Sequence, residues 1–105
     1  MNKSGGAEKL VGHDGIVTTL QLKIMNERGL HARASAKFAA TVDKFRSSVE
    51  VSRNGLVVPG NSIMGLLTLA AEKGMTLSLR ITGDDANEVA LALIELTSNF
   101  FGEGR

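Results

Sequence analysis

Over residues 19–24 apolar and polar side chains alternate, with Leu20, Leu22 and Ile24 on one face and Thr19, Gln21 and Lys23 on the other. A period of two predicts a half-buried strand, and the ordered domain is expected to open near Ile16. Residues 25–29 break the pattern and read as a loop. An alanine-rich stretch follows His31, and Ala34, Phe38 and Val42 recur at helical spacing, so a helix is expected to end near Lys44. Val49 and Val51 then alternate with Ser48, Glu50 and Ser52 as a second strand. Asn54-Gly55 is a hairpin turn, because both residues tolerate positive φ. Leu56, Val57 and Val58 form a short third strand that Pro59 stops. Ser62 opens a second helix carrying Ile63, Met64, Leu66, Leu67, Leu69 and Ala70, with its end near Lys73-Gly74. Met75, Leu77, Leu79 and Ile81 alternate with polar residues as a fourth strand. Asp85 and Glu88 stand at capping-box spacing before a stripe of Val89, Leu93, Leu96 and Phe100.

The order is β-α-β-β-α-β-α. Each strand is apolar on one face only, which favours an antiparallel sheet over a parallel sheet buried on both faces. The expected fold is α+β, an open-faced β-sandwich. A four-stranded antiparallel sheet is covered on one side by three helices. Residues 1–15 are polar, glycine-bearing and aperiodic, and are expected to form a flexible tail; residues 16–101 form the domain; residues 102–105 are expected to fray.

Composition narrows the function. A chain of 105 residues supports one domain with a real core. With no cysteine there is no thiolate metal site and no disulfide framework, which fits a reducing cytoplasm. A net charge of +1, with phenylalanine as the only aromatic residue, argues against nucleic-acid binding. No apolar run is long enough to insert in a membrane, and no signal-peptide pattern opens the chain. Walker A and dinucleotide-binding glycine motifs are missing, so no cofactor is expected. His13 and His31 do not make a metal site, and Asp84-Asp85 reads as a turn and cap.

The candidate chemistry centres on Gly29-Leu30-His31-Ala32-Arg33-Ala34-Ser35, where an extended segment meets a helix. A helix start presents unpaired N–H groups and the positive end of the helix dipole, and so welcomes phosphate. The same field disfavours imidazolium and keeps the His31 ring nucleophilic. A lone histidine is more often a cap or surface residue without chemistry, and it is the helix-start context that shifts His31 towards the nucleophile. Arg33 read alone is a solvated surface cation; beside a phosphohistidine its guanidinium reaches phosphate oxygens. Ser62 is an N-cap, with Asn61 competing for that position, and also a candidate phosphorylation site. The second helix has more apolar residues than one buried stripe needs. Leu66, Leu69 and Ala70 are assigned to the core, and Ile63, Met64 and Leu67 either to the core or to an exposed docking patch.

Two segments carry a resemblance to a known family. They are Gly29-Leu30-His31-Ala32-Arg33 and Asn61-Ser62-Ile63-Met64-Gly65-Leu66, the latter followed by Leu69-Ala70-Ala71 and Lys73-Gly74. With these motifs, and with the element order from about Ile16 to Phe100, the chain resembles the HPr family. These are the histidine-containing phosphocarriers of the bacterial phosphoenolpyruvate-dependent phosphotransferase system. The resemblance implies the same open-faced sandwich. It implies that His31 becomes a phosphohistidine on Nδ1 (the pros nitrogen) and that Arg33 assists transfer. It implies that Ser62 is a regulatory phosphorylation site for HPr kinase/phosphorylase, and that Ile63, Met64 and Leu67 form the partner-binding patch. The implied partners are enzyme I and the A component of an enzyme II or a nitrogen-type counterpart, met by a monomer that is itself no enzyme. Two positions depart from the family pattern. Ala34 replaces a frequent proline and restores a backbone N–H; Asn61 replaces a frequent lysine and removes a charge. A regulatory binding module, whose phosphorylation state controls target proteins, is the alternative reading.

Overall fold

The computed structural model describes residues 16–105, so the tail expected at 1–15 lies outside the described residues. The strands are β1 (Val17–Lys23), β2 (Ser48–Arg53), β3 (Leu56–Pro59) and β4 (Thr76–Thr82). The helices are α1 (Ala32–Asp43), α2 (Ile63–Thr68) and α3 (Ala86–Ser98), and a 3-10 turn at Phe100–Gly102 follows α3. The strands pair antiparallel throughout in the order β1-β4-β2-β3.

Register explains why alternation was so readable. Leu22 lies opposite Leu77, Leu20 and Val51 flank Leu79, and Val49 lies opposite Ile81. These side chains form the inner face, which packs on Phe38, Val42, Leu66, Val89 and Leu93 from the helices. On the other face Thr19, Arg80 and Glu50 line up across three strands and stay exposed or half-buried. A sheet with one wet face must alternate, whereas a sheet covered twice would not.

Four local expectations are corrected. First, α2 ends at Thr68 rather than near Lys73. Its C-cap is Leu69, and Ala70 takes φ +50° and is exposed, so Ala71 rather than Ala70 joins the core. The backbone there is claimed by other elements: the Ala71 carbonyl accepts from Leu30 N at 2.9 Å, and the Leu69 carbonyl accepts from Arg53 Nη1 at 2.8 Å. Second, Pro59 is the last residue of β3 and pairs with Glu50. It sits on an edge strand, where a missing N–H is tolerated. Third, Asp85 does not cap α3 with its side chain. Its carboxylate instead accepts from Arg46 N at 2.9 Å, from Ser47 N at 3.0 Å and from Ser47 Oγ. Fourth, the stripe of α3 ends before Phe100. Phe100 and Phe101 both adopt positive φ, and Phe101 is fully buried in the core.

Candidate functional site

His31 is the N-cap residue of α1, in an extended conformation, with its side chain 20% exposed. The first intrahelical hydrogen bond runs from Ser35 N to His31 O at 2.8 Å. The N–H groups of Ala32, Arg33 and Ala34 therefore precede the helical ladder and have no partner within it. Alanine at 34 contributes one of these three donors; its methyl is buried. The loop before His31 is fixed from two sides. Asn26, itself fully buried, donates from Nδ2 to the Gly29 carbonyl at 2.8 Å, and Gly29 carries φ +69°. On the other side Leu30 N bonds to Ala71, so the two segments that carry the family resemblance touch through their backbones.

The segment expected to fray at 102–105 instead reaches the histidine. Glu103 Oε2 is hydrogen-bonded to His31 Nε2, and Glu103 Oε1 accepts from Asn26 Nδ2 at 2.9 Å. Three anchors put the carboxylate there. Phe101 is buried, its carbonyl accepts from Lys37 Nζ at 2.6 Å, and Glu103 N closes a turn on Phe100 O at 2.9 Å. The Glu103 side chain is 9% exposed. Burial pushes its carboxyl upward, but the bonds from Asn26 and His31 outweigh this and hold it below the ordinary carboxylate range. Near neutrality Glu103 is therefore an acceptor only, and the shared proton belongs to His31 Nε2. Nδ1 makes no hydrogen bond among the described residues.

A cleft of ≈ 360 Å³ lies beside this pair. Arg28, Arg33, Lys37 and Arg105 line it together with Glu27 and Glu103. Arg33 projects into it from the exposed side of the first turn of α1. The chain is nearly neutral overall, yet its cations concentrate here. A doubly charged phosphoryl group or an acidic partner surface meets four cations against two carboxylates. Among the described residues no cluster of metal-ligating side chains occurs, and no helix is long and apolar enough to cross a membrane.

Ser62 is the N-cap of α2, and its Oγ accepts from Gly65 N at 3.0 Å. It is not beside His31. Asn61 donates to Asp43 Oδ1 at 3.1 Å, which ties the start of α2 to the end of α1. The two helices pack antiparallel, and the length of α1, roughly 18 Å at the rise of an α-helix, separates Ser62 from His31. Ile63 and Met64 are 41% and 72% exposed, Leu67 is half-buried, and Leu66 is buried, so the excess apolar residues of α2 face outward.

Of the residues expected from the sequence, the structure sets Arg33 in the cleft beside His31, and Ser62 with the exposed apolar residues of α2 apart from it. Sequence reasoning missed Asn26, Glu103, Arg28, Lys37 and Arg105. Gly29 three residues after Asn26 was a usable sign of a side-chain-closed turn. For Glu103 the only sign was the second phenylalanine beyond the helical stripe.

Comparison with known proteins agrees with the fold. The family described as "PTS HPr component phosphorylation site" matches residues 18–99. The phosphocarrier protein HPr of Neisseria meningitidis serogroup A is 48% identical over 83 residues, covering 79% of this chain and 93% of that protein. A crystal structure of HPr from Thermoanaerobacter tengcongensis superposes with a TM-score of 0.78 at 37% identity, over 82% of this chain and 97% of that one. A structure described as an HPr dimer from the same organism gives a TM-score of 0.64 at 37% identity, over 78% and 94% of the two chains. Sequence, fold and family match therefore converge: the chain belongs to the HPr family and is a phosphocarrier of the phosphotransferase system.

Proposed function

We propose that His31 is the residue that carries the phosphoryl group, as a phosphohistidine on Nδ1. The observation that supports this best is the division of labour on the ring. Nε2 is engaged by Glu103, while Nδ1 makes no hydrogen bond among the described residues, on the residue that caps the start of α1. A lone pair at Nδ1 attacks phosphorus of an incoming phospho-enzyme I, and the donor's own bond to phosphorus breaks. The N–H groups, the helix dipole and the Arg33 guanidinium then meet the charge of the phosphoryl group. The product is passed to the A component of an enzyme II or to a nitrogen-type counterpart. The site is shallow rather than a closed clamp, which suits a carrier that must give up what it binds.

Ile63, Met64 and Leu67 supply the partner-docking face, and Ser62 at its edge is the regulatory position for HPr kinase/phosphorylase. The protein works as a monomer in the cytoplasm, without a cofactor. Incubation with labelled phosphoenolpyruvate and enzyme I tests the reading. Acid-labile label is expected on the wild-type chain, discharging onto an A component, and none on His31→Ala. Persistent acid-labile label on that variant would refute the assignment; label that never discharges would favour a regulatory module.

A further inference from the structure

Glu103 is a negative charge placed against the group that is to receive a phosphoryl dianion, where charge repulsion alone would argue for a neutral neighbour. The placement is built: Phe101 is buried, Lys37 holds its carbonyl, and Asn26 spends its Nδ2 on Gly29 O and Glu103 Oε1. The Asn26 Oδ1 is buried with no hydrogen-bond partner among the described residues. An amide that leaves its oxygen orphaned while both bonds from its nitrogen go to the site is a costly way to make a loop.

We propose that Glu103, oriented by Asn26, is a positioning residue that keeps the proton on His31 Nε2 through both halves of the transfer cycle. The proposal rests on the reading of His31 as the carrier. The chemistry balances without any proton movement at His31. In loading, the Nδ1 lone pair forms the N–P bond, the bond from phosphorus to a phosphohistidyl donor protein breaks, and its electron pair stays with the donor. The ring is then a cation, phosphorylated at Nδ1 and protonated at Nε2, and the Glu103 carboxylate balances that charge. In discharge, the acceptor forms the new bond to phosphorus and the N–P electron pair returns to Nδ1. The leaving group is a neutral imidazole that still holds its Nε2 proton. Without that proton the leaving group would be an imidazolide anion, a far poorer one. Glu103 therefore acts on donation more than on loading.

Glu103→Gln in the full chain isolates the charge, since an amide still fills the position. The charged groups facing His31 and Glu103 are otherwise Glu27 and Arg28 from the loop, Arg33 and Lys37 from α1, and Arg105 from the tail, all unchanged. Phospho-protein is isolated, and its rate of transfer to an A component is followed between about pH 6 and pH 9, where imidazoles titrate. Donation by the variant should match wild type at the acid end. It should begin to decline at lower pH and be roughly tenfold slower at the alkaline end, as for loss of one adjacent opposite charge. Glu103→Asp should recover part of the profile. In the unphosphorylated protein the downfield Nε2–H proton signal should be seen in wild type and lost in Glu103→Gln. Superimposable profiles with normal loading at His31 would overturn the role of Glu103 alone. Failure of wild type to load at His31 would overturn the carrier reading as well.

Discussion

At Gly29 the backbone takes φ +69°, and a methyl in place of the glycine hydrogen would sit 2.6 Å from the Ala71 carbonyl oxygen and 3.0 Å from the Glu72 Cα. Neither obstacle is the end of a flexible side chain, so the loop itself would have to move, and that loop sets where His31 begins α1. Gly29→Ala is therefore expected to cost of order 1–3 kcal/mol and to slow loading of His31. Urea unfolding and a loading assay check it; an unchanged midpoint with an unchanged rate would show that the loop tolerates the methyl. Phe101 is a second residue whose effect reaches beyond itself. Deleting its buried ring in Phe101→Ala should cost about 3–5 kcal/mol and release the turn that carries Glu103. The Glu103 contact to His31 should then disappear from the proton spectrum; its persistence would mean that Lys37 and Asn26 suffice.

Elements were legible in the sequence where one physical rule acted alone. The strands β1, β2 and β4 alternate because one face of the sheet meets helices and the other meets water, and no long-range information is needed to see that. The first helix was equally plain, since alanine propensity and the spacing of Ala34, Phe38 and Val42 agree. The end of α2 was not legible, because a left-handed alanine at 70 is imposed by neighbours, Leu30 and Arg53, that are distant in sequence. Nor was the role of Asp85, whose spacing to Glu88 suggested a local cap while its carboxylate serves the 46–47 loop. Within the candidate site the histidine and the arginine were marked by their place at the start of a helix, but Glu103 stood in a polar tail with nothing local to mark it. Asp85 also yields a test at this scale. The hydroxyl of Ser47 and the N–H groups of residues 46 and 47 hold its carboxyl below the ordinary aspartate value. The stability it contributes is thus fully present above that value and is lost as pH falls through the lower folded value. Asp85→Asn should lower the urea midpoint at neutral pH and flatten the acid limb of a stability–pH curve. An unaltered acid limb would show that other carboxylates govern it.

Across the whole molecule, a nearly neutral chain separates two surfaces: a cationic cleft beside His31 and an apolar face on α2. Their distance decides how Ser62 can act. Roughly 18 Å along α1 exceeds the screening length of about 8 Å at physiological salt, so a charge at Ser62 has little direct reach to His31. Ser62→Asp should therefore raise the KM for phospho-enzyme I several-fold while leaving spontaneous hydrolysis of phospho-His31 unchanged. A faster or slower hydrolysis with unchanged KM would place the effect at the histidine instead. Met64→Asp should weaken the same docking without loss of stability, since that side chain is 72% exposed. The claim on which these expectations depend is that Nδ1 of His31 carries the phosphoryl group. Nitrogen-15 NMR of the chain labelled at histidine, loaded from phosphoenolpyruvate through enzyme I, tests it most directly. A phosphorus coupling at Nδ1 of His31, with Nε2 still protonated, is the predicted result. A coupling at Nε2, or phosphate on any other residue with His31 unmodified, would contradict it.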